Sequence, residues 1–259
     1  MTLKRALPAL TTVRETVTRA LGLLLAFALS ACAAEDQATS PQEVRKLAGS
    51  PQAQQSRQKT EDQLRATVNA YAKDTPLALG LVAVDDICAG GKARELVFQD
   101  GDDGYKIRCH LQITAFYGAD PHRIADVLDG ILAAGDRAQS KPNPLDTIPF
   151  HHGADGRSPL VDYYRGTGPN PNSPSALEPA YLYAGQQRLS WDTLRSSQKT
   201  LVSDDVCLGE NPPAVRCVRE PAGRTVQDIR KQYGMVFKLE LSPVDYYIVS
   251  KKGKTIVAR

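Results

Sequence analysis

Residues 105–117 constrain this chain more than any other feature: Tyr105, Ile107, Cys109, Leu111, Ile113, Ala115 and Tyr117 alternate with Lys106, Arg108, His110, Gln112, Thr114 and Phe116. Only Phe116 breaks the alternation, and a period of two is a strand with one buried face. Residues 95–99 and the turn Asp100-Gly101-Asp102-Asp103-Gly104 precede it, which predicts a hairpin. After the strand, Asp120 is placed to cap a helix with Pro121 at its first position. Ile124, Val127, Leu128, Ile131 and Leu132 then form one apolar stripe that should cover the sheet. Near the C-terminus, Val226, Ile229 and Tyr233 predict a helix ending at Gly234. Strands are expected at 235–241, 246–250 and 255–257, the last two joined by the turn Lys251-Lys252-Gly253-Lys254. Strands and helices are segregated rather than strictly alternating, so the expected class is α+β, an antiparallel sheet with packed helices.

The N-terminus carries Lys4, Arg5, Arg14 and Arg19, then an apolar run over 20–29, then Ser30 and Ala31 before Cys32. That order is a secretory signal. Leu29-Ser30-Ala31-Cys32 resembles the lipobox of bacterial lipoproteins, a resemblance that covers the leader alone. It implies cleavage before Cys32, a diacylglycerol on its sulfur, and attachment to a membrane through that lipid. In that family an Asp after the lipidated Cys marks inner-membrane retention; Ala33 and Ala34 stand here, which implies the outer membrane, with the folded part facing the periplasm. The apolar run over 20–34 falls short of the roughly 20 residues needed to span a bilayer, which excludes a polytopic membrane protein. Removing residues 1–31 takes the basic count from 32 to 28 and the acidic count from 29 to 28, so the mature chain is neutral. Nucleic-acid binding, which needs a basic face on the folded part, loses its support.

Past the leader (1–31), residues 32–60 are rich in Gln, Ser, Ala and Pro, with Val44 and Leu47 as the large aliphatics, and read as a flexible tether spanning roughly 30 Å. Residues 61–140 form a first α+β unit. It opens on a helix with a capping box at Thr60-Glu61-Asp62-Gln63 and an apolar stripe of Leu64, Val68 and Tyr71, closed by Pro76. Residues 141–190 hold a Pro-, Gly- and aromatic-rich loop, irregular in sequence yet too aromatic to be disordered. Residues 191–259 form a second α+β unit, either separate or one domain with the first.

Asp85-Asp86-Ile87-Cys88-Ala89-Gly90 recurs as Asp204-Asp205-Val206-Cys207-Leu208-Gly209. The two are followed by Ile107-Arg108-Cys109 and Val215-Arg216-Cys217, and each then by a helix. The echo reads as two related disulfide-bearing units. With Cys32 set aside for lipid, four cysteines remain in an oxidising compartment. Of three pairings the echo favours Cys88 with Cys109 and Cys207 with Cys217, each bridge contributing roughly 3 kcal/mol. The absence of any C-x-x-C argues against zinc.

Catalytic motifs are scarce. Ser196-Ser197-Gln198-Lys199 has the S-x-x-K spacing of penicillin-recognising enzymes without their companion motifs, and reads as a solvated helix face. Asp100, Asp102 and Asp103 begin like a calcium loop, but Leu111 stands where an EF-hand needs Glu. His110 and His122 read as surface residues. His151, His152 and Asp155 are the best acid–base candidates, because imidazole and carboxylate are the groups such chemistry uses. No metal site or cofactor is expected. The first functional reading is therefore a lipid-anchored, non-enzymatic binding protein of the cell envelope, whose partner is another envelope protein or a toxin it neutralises, as immunity lipoproteins do. Tyr163, Tyr164, Tyr181 and Tyr183 are its candidate binding anchors, with Trp191 packing the loop and one of the adjacent Tyr163 and Tyr164 facing solvent from an extended segment. The alternative is an envelope hydrolase or metal-dependent enzyme using His151, His152 and Asp155.

Overall fold

In the computed structural model, which describes residues 38–92, 104–138, 148–153, 157–196, 199–207 and 212–256, the alternating segment lies at the centre of one antiparallel sheet. The chain runs α1 (Pro41–Ala48), α2 (Pro51–Asp74), β1 (Ala78–Gly90), β2 (Tyr105–Ala119), α3 (Ile124–Ala138), α4 (Arg157–Arg165), β3 (Tyr181–Ala184), β4 (Gln187–Trp191), β5 (Ala214–Glu220), α5 (Val226–Tyr233), β6 (Met235–Leu241), β7 (Val244–Ser250) and β8 (Thr255–Ile256). These five α-helices and eight strands, counted among the described residues, give the α+β class expected. The leader, Cys32, the strand expected at 95–99, the turn residues Asp100, Asp102 and Asp103, and Asp155 lie outside the described residues.

The sheet order is β3-β4-β6-β2-β1-β5, with β7 also beside β2 and β8 beside β7. β2 pairs with β6 along one half and with β7 along the other, so β6 and β7 act as one long strand interrupted at Ser242 and Pro243. Pro243 cannot donate to a ladder, which suits it to that break. The main partner of β2 is β1, where Cys88 faces Cys109. The sequence reading missed β1 because its residues are buried on both faces: Leu81 packs on one side while Val82 and Val84 pack on the other. Such a strand shows a near-continuous apolar run instead of alternation.

Helices α1 to α4 cover one face of the sheet, where Val82, Val84, Ile107, Leu111, Ile113 and Tyr117 meet Leu128, Ile131, Phe150, Trp191, Phe237 and Leu239 in the main core. On the other face a small cluster of Leu81, Phe116 and Val236 is capped by Val226 and Ile229 of α5. Phe116, the one break in the β2 alternation, is therefore buried in this second core. α3 and α5 match expectation. Asp120 accepts from the His122 backbone before α3, and Gly234, with φ of 96°, ends α5 as the stripe predicted.

The tether is corrected over much of its length. Ser40 and Ser50 each accept from the backbone N–H three residues on and each precede a proline at the first helical position, starting α1 and α2. Few apolar residues suffice because they are small and fully used: Val44, Ala48 and Ala53 are buried. α2 therefore runs straight through the capping box read at Thr60. The loop is corrected too, since 157–165 is helical. Pro159 falls in the first turn, where its missing N–H costs nothing, and Leu160, Val161 and Tyr164 share one buried stripe.

Both expected cysteine pairs are bridged, Cys88 with Cys109 and Cys207 with Cys217. Their settings differ: the first joins paired strands β1 and β2, whereas the second ties β5 to an irregular strap, residues 199–207. Each bridged strand, β2 or β5, leads into a helix as the echo suggested, but Asp85–Asp86 is strand and Asp204–Asp205 is not.

Candidate functional site

Among the described residues, the sheet face that carries the small core is covered by α5 and by Val202 and Val206 of the strap. At the β3 edge, Tyr181 and Tyr183 alternate outward while Leu182 turns into the main core. β4 follows with Arg188 and Ser190 outward between buried Gln187, Leu189 and Trp191. The Arg188 guanidinium lies over the Tyr181 ring, 5.5 Å from its centroid. Between this hairpin and the strap runs a groove of about 310 Å³, whose lining includes Tyr181, Arg188, Ser190, Thr200, Leu201 and Lys238. Tyr181 is 59% exposed, Tyr183 63% and Leu201 51%.

The strap is held by buried charge. Lys238 of β6 donates to Asp205 of the strap (2.8 Å) and to Glu240 (2.9 Å). Burial would lower its pKa, but the two carboxylates more than offset this and raise it; the same bond holds the Asp205 carboxyl below its ordinary value. Asp204 pairs with Arg219 at 2.8 Å. Asp192, just after β4, accepts from the Val202 and Val236 backbone N–H groups and from Arg230. Glu178 accepts from the backbone N–H groups of Leu194, Arg195 and Ser196 and from the Tyr164 hydroxyl, fixing the chain that leads to the strap. Three aspartates of the echo thus have cationic partners: Asp86 with Arg57, Asp204 with Arg219 and Asp205 with Lys238. Among the described residues no group of three or more His, Cys, Asp and Glu could hold a metal ion.

The candidate anchors divide. Tyr181 and Tyr183 are exposed, as binding requires. Tyr164 is not: it is buried on α4, accepts from Trp191 Nε1 and is pushed to a higher pKa by burial. Tyr163 packs partly against the core with Arg195 over its ring. The expectation of an extended segment with one of the pair facing solvent is corrected by the helix, which points neighbours about 100° apart. Trp191 packs the core as expected, with 1% exposure.

His152 sits between two carboxylates of α3. Its Nδ1 is 2.6 Å from Asp136 and its Nε2 3.0 Å from Asp129, while its backbone N–H donates to Asp136. Asp129 and Asp136 are two turns apart on one helix face, a spacing visible in the sequence but not weighed there. Both ring nitrogens are engaged, so the imidazole clamps residues 148–153 onto α3 and has none free to ligate a metal. The hydrogen bond to Asp136 raises the His152 pKa against partial burial, Asp129 adding to it, and holds the Asp136 carboxyl below its ordinary range. A raised imidazolium contributes stability that is complete below about pH 6.5 and lost as pH rises through its folded value; the lowered carboxylate contributes above about pH 4 and loses it in acid. Because both groups are substantially exposed, the effect is below about 1 kcal/mol. The expected result is a decline in urea stability from pH 6 to 8 that His152→Gln removes; an identical decline in the variant contradicts the clamp.

Comparison with protein-family models, curated proteins and solved structures finds no match to this chain. Sequence reasoning found Tyr181 and Tyr183 but missed Arg188, Leu201 and Lys238, because the strap that assembles them beside the hairpin has no periodicity to read.

Proposed function

We propose that the protein is a lipid-anchored, periplasm-facing binding protein without enzymatic activity, which holds a protein partner against the β3–β4 hairpin and the strap. The observation that carries this reading is the placement of Tyr181, Tyr183 and Leu201, more than half exposed, beside a groove with Arg188 stacked on Tyr181. Tyr and Arg are the residues that dominate protein interfaces, and large apolar side chains left in water beside a groove favour a partner that removes them from it. The partner classes are an envelope protein or a toxin neutralised in the periplasm. A hydrolytic or metal-dependent role for His151, His152 and Asp155 has less support, because the His152 ring is already held by Asp129 and Asp136.

The anchor rests on Leu29-Ser30-Ala31-Cys32. Pro41 starts a packed helix, so the chain from Cys32 to α1 reaches at most about 30 Å, and an acylated Cys32 would keep the domain close to the membrane. Palmitate labelling and detergent partitioning of the expressed protein are expected, and both should vanish in Cys32→Ser; unlabelled wild type rules the anchor out. For the binding face, Tyr181→Ala and Tyr183→Ala are each expected to weaken a partner captured from envelope extract by about 1–3 kcal/mol. The melting temperature should stay nearly unchanged, since neither ring is buried. Undiminished binding in the double variant means that the partner sits elsewhere.

A further inference from the structure

A second cavity lies at the opposite edge of the sheet, on the helix-covered side. It measures about 390 Å³, within the range of small-ligand sites, and is lined by Arg45, Ala48, Gly49, Arg57, Asp86, Cys88, Pro213, Val215 and Arg216. Its three guanidinium groups come from three separate elements: Arg45 from α1, Arg57 from α2 and Arg216 from β5. The one carboxylate among the described lining residues, Asp86, is buried and committed: it takes Arg57 Nε at 2.6 Å and the Tyr246 hydroxyl at 2.7 Å. Arg216 bonds Glu61, which also takes Arg65, and Arg65 reaches Glu220. Burial would raise the Glu61 pKa, but its bonds to Arg216 and Arg65 lower it, so it stays anionic. Among the described residues four guanidinium groups thus meet three carboxylates, and the one with no carboxylate partner is Arg45, whose hydrogen bond goes to the Pro213 carbonyl oxygen at 3.3 Å. Donors remain for a guest: Arg57 uses Nε and Nη2 and Arg216 uses Nη1 and Nη2, which leaves Arg57 Nη1, Arg216 Nε and two nitrogens of Arg45 with no acceptor among the described residues.

We infer that this cavity binds a phosphate group, either free or as a phosphate ester. Guanidinium groups pair with oxyanions through parallel N–H donors. Three of them approaching from three elements suit a tetrahedral, polyvalent anion better than a carboxylate, whose two oxygens lie in one plane. Ala48, Cys88, Pro213 and Val215 give the remainder an apolar wall, and the volume leaves room for an organic part on the phosphate. The site lies on α1, the first described helix, nine residues after Cys32 in sequence, so under the anchored reading a phospholipid headgroup is one source of the phosphate and a soluble metabolite the other.

The test is calorimetric titration of the full chain at low ionic strength with inorganic phosphate, with glycerophosphoglycerol as a phosphodiester headgroup mimic, and with acetate. Saturable binding of phosphate or the diester is expected, weakened by added salt, and reduced about tenfold by Arg45→Gln and by Arg216→Gln through loss of a charge-assisted bond. Arg45 is exposed and makes one hydrogen bond, so its variant folds; in Arg216→Gln, Glu61 keeps Arg65. Tighter binding of inorganic phosphate assigns a free phosphate or monoester, and tighter binding of the diester assigns a headgroup. The inference is overturned if neither ligand saturates, if acetate binds as tightly as both, or if both variants bind as well as the wild type. Because Tyr181 and Tyr183 are not in this cavity, its failure leaves the partner-binding reading standing.

Discussion

Asp192→Ala is expected to lower the free energy of unfolding by about 3–5 kcal/mol, the cost of removing one partner from a buried ion pair. The Asp192 side chain is 3% exposed and accepts four hydrogen bonds: Val202 N–H at 2.7 Å, Val236 N–H at 2.9 Å, and Arg230 Nε and Nη2 at 2.8 and 2.9 Å. Its loss strands the Arg230 guanidinium, itself 16% exposed, together with two backbone donors. Arg230 Nη2 also reaches the Val202 carbonyl at 3.0 Å, so the strap, β6 and α5 lose their common tie at once. Against a typical domain stability of about 5–15 kcal/mol that is a large fraction. Asp192→Asn keeps one carbonyl acceptor and should cost clearly less. Urea unfolding of both variants measures the difference; a loss below about 1 kcal/mol for Asp192→Ala contradicts the role given to it. The strap should also loosen, so under the proposed binding reading partner affinity should fall even where the variant remains folded.

What the sequence made legible follows from where each signal resides. α3 and the first half of β2 are half-buried, so their period shows directly as apolar spacing, and both were readable, as were α5 and the strands after it. β1 was hidden by burial on two faces, and α1 and the start of α2 by small buried residues that carry little hydropathy contrast, whereas the later part of α2 was readable from Leu64, Val68 and Tyr71. Ser40-Pro41 and Ser50-Pro51 are helix starts that the composition-based reading of a tether passed over. In the site, the two outward tyrosines of β3 could be named but not distinguished from Tyr163 and Tyr164. That distinction depends on α4 turning one ring inward toward Trp191 and Glu178, a tertiary fact. The cavity at Arg45, Arg57 and Arg216 had no local signal, since its residues are spread over 171 positions from α1 to β5.

The second large effect is expected at Gly135, near the C-terminal end of α3. In an exposed helix interior, glycine to alanine adds about 1 kcal/mol of stability. Here the sign reverses. A Cβ at 135 would stand 1.8 Å from the Phe150 carbonyl oxygen, 2.6 Å from its carbon and 3.1 Å from the Ile148 oxygen. All three atoms are backbone, so no side-chain rotation relieves the overlap, and residues 148–150 must lift from the helix. Phe150 is fully buried and Ile148 nearly so; His152, two residues on, is clamped to Asp136 and Asp129 of the same helix. Lifting the segment forfeits part of the burial of a large aromatic, worth about 3–5 kcal/mol when lost outright, on top of an overpacking cost of about 1–3 kcal/mol. The expected result for Gly135→Ala is a destabilisation of at least about 3 kcal/mol by urea unfolding, with the pH dependence attributed to His152 reduced because the clamp is displaced. A Gly135→Ala protein as stable as the wild type would show that residues 148–150 do not lie against α3.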